Sequence, residues 1–154
     1  MLTINIICVG KLKEKFFKDA IDEYSKRLSK YCKLNIIELP DEKIPEKTNP
    51  NIENEIKTKE CNNIINHIKK DSYVISLDLT GKQLSSEEFS KNIENISMQS
   101  SQITFIIGGS LGLTDKVLSM SNQMAKPIID NKFLYITVGK IYVITLEGNY
   151  VGQQ

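Results

Sequence analysis

The sequence predicts an α/β fold, a three-layer sandwich around a mostly parallel sheet. Two observations predict it. Short runs rich in Ile and Val alternate with segments of helical periodicity as far as residue 120, the pattern of βαβ units covered on both faces. The chain has 154 residues, 40% of them hydrophobic, with no internal repeat and no low-complexity tract, so residues 1–154 are expected to form a single domain.

Each element follows from its own residues. Residues 2–9, LTINIICV, are an apolar run closed by Gly10, a buried strand. From about Lys13 to Lys30, Phe17, Ala20, Ile21, Tyr24, Leu28 and Tyr31 recur at three- and four-residue intervals and predict a helix with that face inward. Leu34–Leu39 reads as a second strand ended by Pro40. The stretch PDEKIPEKTNP, with three prolines, reads as a surface loop. Ile52, Ile56, Cys61, Ile64, Ile65 and Ile68 then mark a second amphipathic helix over roughly 51–69.

Ser72–Leu79 (SYVISLDL) is a third strand, followed by a turn at Thr80-Gly81-Lys82-Gln83. Ser85-Ser86-Glu87-Glu88 has the spacing of a capping box, with Phe89, Ile93 and Ile96 on the inward face of the helix it opens. Gln102–Ile107 is a fourth strand that runs into Gly108-Gly109-Ser110-Leu111-Gly112, and Thr114-Asp115 starts another helix. The pattern changes after Lys126-Pro127. Phe133–Val138 and Ile141–Glu147, separated by Gly139-Lys140, have the propensity of a β-hairpin.

Composition excludes several classes of function. Twenty Lys and Arg against nineteen Asp and Glu leave a net charge of +1, which gives no bulk attraction for a polyanion. Lysines 11, 13, 15, 18, 26, 30 and 33 with Arg27 make the amino-terminal quarter basic, but Glu14, Asp19, Asp22 and Glu23 dilute it. That stretch reads first as a solvated helix face and second as an RNA-facing surface. No apolar run approaches the ~18 residues a membrane-spanning helix needs, and the charges of MLTINIICVGKLKEK follow the apolar stretch, the reverse of a secretory leader. Cys8, Cys32 and Cys61 lack C-x-x-C spacing and His67 is the sole histidine, so neither a disulfide framework nor a metal site is expected. The expectation is a cytoplasmic protein with no membrane and no metal.

Ligands of open parallel sheets bind where the strands' carboxyl ends meet loops. Two places qualify, Leu77-Asp78-Leu79-Thr80-Gly81 and Gly108-Gly109-Ser110-Leu111-Gly112. Paired glycines let backbone approach a ligand closely; equally, they make a tight strand-to-helix turn. On the first account, Gly108→Val fills ligand space and abolishes binding. Gly108–Gly112 has neither G-x-G-x-x-G nor P-loop spacing. His67, near a helix end beside Lys69 and Lys70, reads as a surface residue. No nucleophile–histidine set can be assembled, so no catalytic residue is named.

Several short motifs, in order, resemble one family. They are Val9-Gly10-Lys11-Leu12-Lys13-Glu14, Glu23-Tyr24 with Lys26-Arg27-Leu28, Ile37-Glu38 before Pro40-Asp41-Glu42-Lys43, Leu84-Ser85-Ser86-Glu87-Glu88-Phe89, Phe105-Ile106-Ile107-Gly108-Gly109-Ser110 with Gly112-Leu113, and Ser121-Asn122. Over about residues 1–123 the chain resembles the ribosomal RNA large subunit methyltransferase H family, a small bacterial branch of the SPOUT superfamily. The resemblance implies a homodimeric α/β domain with a carboxyl-terminal trefoil knot. It implies transfer of a methyl group from S-adenosylmethionine to N3 of a pseudouridine in 23S ribosomal RNA of the assembled ribosome. It also implies two cofactor contacts, Leu77 in the third strand and Gly108 after the fourth. Family members continue with Ser-Lys-Met-Thr-Phe and a histidine and end on a helix bearing Tyr-Arg-Ala-Phe. Here residues 124–154 diverge, with no Arg after Arg27 and no His after His67. The alternative the residues leave open is a non-catalytic remnant or ribosome-binding module with an incomplete cofactor site.

Overall fold

The computed structural model describes residues 1–129, 132–137, 140–144 and 150–153, with side chains as far as Lys126. Five strands form a parallel sheet: β1 (Leu2–Val9), β2 (Cys32–Leu39), β3 (Tyr73–Leu84), β4 (Gln102–Ile107) and β5 (Gln123–Ile129), in the order β2-β1-β4-β3-β5. Four helices connect them: α1 (Lys15–Leu28), α2 (Pro50–His67), α3 (Ser86–Ser97) and α4 (Asp115–Met120). The expected α/β sandwich is the observed one. Beyond β5, the strands β6 (Lys132–Thr137), β7 (Lys140–Ile144) and β8 (Tyr150–Gln153) pair antiparallel in succession. Val138 and Gly139, at the turn expected between Phe133–Val138 and Ile141–Glu147, lie outside the described residues, as do parts of the segment after β4 to which the expected knot belongs.

Alternation along the strands splits the apolar side chains between the two faces. One face buries Ile7, Val9, Leu39, Val74 and Ile106 against Cys61 and Ile64 of α2 and Val117 of α4. The other gathers Ile75, Ile103, Phe105 and Ala125 with Ile96, Phe89 and Ile93 of α3. The connections β1–α1–β2 and β3–α3–β4 step the same way across the sheet, so right-handed crossovers put α1 on the face of α3.

The start of α3 is the predicted capping box: the Glu88 amide donates to Ser85 Oγ at 3.1 Å and the Ser85 amide to Glu88 Oε2 at 2.9 Å. α2 starts one residue earlier than its periodicity indicates. Asn49 accepts the Ile52 amide at 2.9 Å and Pro50 stands in the first turn, where a missing N–H costs nothing.

Three expectations change. The arc Phe17–Tyr31 of α1 is not an inward face: Phe17 is buried, but Tyr24 and Tyr31 are 63% and 76% exposed. α1 packs on β2, an edge strand of the sheet, which offers too narrow a strip to cover so wide an arc. The turn at Thr80–Gln83 falls inside β3, which leaves and rejoins β5. Leu77 and Lys82 both pair with Ala125, with a register shift between them. β5 itself, QMAKPII, carries a proline and no alternation, and its residues give no strand signal.

Candidate functional site at the carboxyl ends of the strands

β3 and β4 bring the two predicted contacts to the same level of the sheet. Leu77 pairs with Ile107 on one side and Ala125 on the other, and Gly108 directly follows Ile107. Leu77 is half-buried, whereas Leu79, just beyond it, is 58% exposed. Met120 and Met124 add further exposed apolar surface. The intervening Asp78 carboxylate accepts from the Thr80 amide at 3.1 Å and from the Thr80 hydroxyl, which closes the excursion of β3 on itself.

The glycines have distinct reasons. A Cβ on Gly81 would meet the Ala125 backbone at 2.6–2.8 Å, so this glycine lets β3 and β5 touch. A Cβ on Gly108 would meet Leu113 Cδ2 at 2.9 Å and the Gly112 carbonyl carbon and oxygen at 3.0 Å. The space beside Gly108 is therefore filled by its own loop and not open to a ligand, and the tight-turn account holds for its missing side chain. Gly112 has φ +81° and nothing within 4 Å of a Cβ; there the backbone conformation requires glycine. The amide of Gly112 donates to the Gly109 carbonyl at 3.0 Å, closing the turn.

Sequence reasoning missed Glu60. The residue is 6% exposed and its carboxylate accepts the Glu42 amide at 3.0 Å. Oε1 lies 3.0 Å from the position a Cβ on Gly109 would take. Burial pushes its pKa up, and the carboxylates of Asp41 and Glu42 push it further, against the lowering effect of the Glu42 amide. The available signal was angular: Glu60 lies four residues from both Ile56 and Ile64, inside the apolar arc of α2.

The neighbouring Cys61, 1% exposed, accepts the Thr114 amide at 3.3 Å through Sγ. Pro50, Glu53, Asn54 and Lys57 on the first turns of the same helix form a shallow groove with Leu111. α2 thus lines the glycine loop from one end to the other.

Several other motif residues fasten neighbouring strands. The Leu12 amide donates to Glu38 Oε2 at 2.9 Å, and the Gly10 amide to the Leu39 carbonyl at 2.7 Å. Asn122 clamps β3 twice: Val74 N–H donates to its Oδ1 at 2.8 Å, and its own amide donates to the Val74 carbonyl at 2.9 Å. Ser121 bonds Ser76, which is fully buried, at 2.6 Å. Together they fix β5 on β3, next to the Ile75–Gln123 pair.

Cys8, Cys32 and Cys61 are buried free thiols, and burial with the nearby Glu38 raises Cys8 to about 11. His67 ends α2, exposed, 2.8 Å from the Asn63 carbonyl. Among the described residues no three His, Cys, Asp or Glu side chains form a metal-binding group, and no helix is long and apolar enough to cross a membrane.

Residues 2–126 match the family described as predicted SPOUT methyltransferase. The chain is 62% identical over 122 residues to ribosomal RNA large subunit methyltransferase H of Clostridium botulinum strain 657, covering 79% of this chain and 77% of that one. It is 59% identical to the protein of that name from Clostridium botulinum strain Alaska E43 and 57% identical to that from Clostridium acetobutylicum, with the same coverage.

Proposed function

Since the chain belongs to the SPOUT methyltransferase family, we propose that it methylates large-subunit ribosomal RNA, at N3 of a pseudouridine in 23S RNA of the assembled ribosome. The observation that carries this reading is the family match over residues 2–126, which spans both strand ends of the candidate site. A methyltransferase needs a methyl donor, and in this reading the donor is S-adenosylmethionine, whose sulfonium supplies an already activated methyl group.

The residues present fit the adenosyl part of such a donor. Leu77 pairs with Ile107, which Gly108 follows, and Leu79 is exposed just beyond Leu77, so an apolar surface and a strand-end backbone meet at one place. Because the Cβ space of Gly108 is taken by Leu113 and Gly112, its contribution comes from main-chain atoms. Backbone groups held rigidly recognise a neutral heterocycle without a charged side chain. What remains for the protein is alignment of the imide nitrogen with the methyl and removal of its proton; none of the described side chains is assigned as the base. The same reading makes 1–154 a single domain acting as a cytoplasmic homodimer. The near-neutral net charge of +1 accords with recognition of ribosome shape.

One observation favours a second reading. The family match ends at residue 126; on this reading residues 127–154 do not complete a donor site, and the chain acts as a non-catalytic ribosome-binding module. Calorimetric titration of the full chain with S-adenosylmethionine separates the two. Micromolar binding at one site per chain supports the methyltransferase; no heat at saturating donor, with a folded protein, supports the second reading.

A further inference from the structure

The helix α2 lies along the glycine loop, and at its centre is a carboxylate that the chemistry above does not use. Glu60 is 6% exposed, so it is not a solvated helix charge. No ion pair joins it among the described residues, where Lys59 instead pairs with Glu42 at 3.3 Å. A carboxyl withdrawn from water without a cation costs stability that hydrogen bonds or a bound proton must offset. Glu60 makes one hydrogen bond and one close approach. Oε2 accepts the Glu42 amide at 3.0 Å, holding the loop after β2, and Oε1 stands where a side chain on Gly109 would begin. Val9 Cγ1, 3.2 Å from that same point, closes the other side. Gly109 is thus confined between the end of β1 and the Glu60 carboxyl, one residue from Gly108.

We infer that Glu60 is a positioning residue of the candidate donor site: its carboxyl, anchored by the Glu42 amide, stands against Gly109 and so sets the height of the Gly108–Gly112 loop over the sheet. The inference rests on the donor site proposed above and adds a residue that touches no ligand. Its steric half predicts a specific coupling. Gly109→Ala puts a methyl against Oε1 and Val9, and removing the carboxyl by Glu60→Ala takes away the nearer of these obstacles. The two substitutions are then non-additive, since neighbours sharing one contact couple. Glu60→Gln keeps the size and the acceptor for the Glu42 amide and leaves the loop in place.

The test uses the full chain in four forms besides wild type: Glu60→Ala, Glu60→Gln, Gly109→Ala and the Glu60→Ala/Gly109→Ala double variant, each checked for cooperative thermal unfolding. Backbone amide NMR shifts of residues 108–114 and S-adenosylmethionine affinity are measured side by side. The expected result is that Glu60→Ala moves the amides of Gly109–Gly112 and weakens donor affinity by about ten- to a hundredfold, the range for a displaced supporting group. Glu60→Gln stays within about threefold of wild type, well under the tenfold that 1.4 kcal/mol represents, and the double variant binds no more weakly than Gly109→Ala alone. A folded Glu60→Ala protein whose loop amides stay at their wild-type positions overturns the inference, as does strict additivity. If wild type takes up no donor, the donor site fails while the amide shifts still decide the role of Glu60.

Discussion

At the residue scale, three glycines in one region are retained for three reasons, and substitution separates them. Gly112→Ala meets no atom but forces a Cβ onto φ +81°, a cost of about 1–2 kcal/mol. Gly81→Ala drives a methyl into the Ala125 backbone, which neither strand can yield without breaking the pairing, and should cost about 3 kcal/mol or more. Denaturant titration of both variants checks the order; equal losses would contradict it. Glu60 carries the pH prediction. Its folded-state pKa is raised by burial and by Asp41 and Glu42, so the folded protein binds a proton that the unfolded chain gives up. Stability from this group is full below the ordinary carboxylate range and is lost as pH rises through the raised pKa. Glu60→Gln should flatten that decline between acid and neutral pH, and an unchanged slope would show that other groups cause it. Leu77 and Gly108 enter the candidate site through the resemblance. The filled space beside Gly108 was not legible, because a glycine in sequence does not reveal whether a ligand or its own loop stands where the side chain would be. For the same reason Gly108→Val disturbs Leu113 and Gly112 and is a poor probe of ligand contact.

At the element scale, the helices that announced themselves did so through local chemistry. The Ser85–Glu88 box starts α3 and Thr114 caps α4, accepting the Val117 amide at 3.4 Å. β5 was illegible because nothing in QMAKPII makes it a strand by itself; it is held from outside by Asn122 and Ser121. Asn122→Ala should therefore cost about 1–3 kcal/mol, the penalty of orphaning the buried Val74 amide. Protection against hydrogen exchange should fall first at the paired strands β3 and β5. Ser85→Ala, which removes one cap bond from α3, should cost about 1 kcal/mol and leave β5 protection unchanged. A uniform loss of protection in both variants would show that these contacts are not local. The excess apolar arc of α1 misled for the converse reason: helical periodicity records which residues are apolar, and topology decides how much sheet lies beneath them.

At the scale of the whole molecule, residues far apart in sequence meet at one rim of the sheet. Leu12 binds Glu38, Glu42 binds Glu60, Glu60 abuts Gly109, and Leu77 stands beside the start of the glycine loop. Leu12, Glu38, Glu42 and Gly109 of this rim fall in the short motifs that carry the resemblance. Strand–helix alternation made the fold class readable. The convergence was not, since it depends on the order β2-β1-β4-β3-β5, which no local pattern encodes. The most direct measurement of the central claim is methyl transfer itself. Ribosomes lacking the modification are incubated with the full chain and S-adenosylmethionine, and the 23S RNA is digested and read by mass spectrometry. One added methyl, on a single pseudouridine, is the expected result. Ribosomes that stay unmethylated in the presence of folded protein and saturating donor would contradict it.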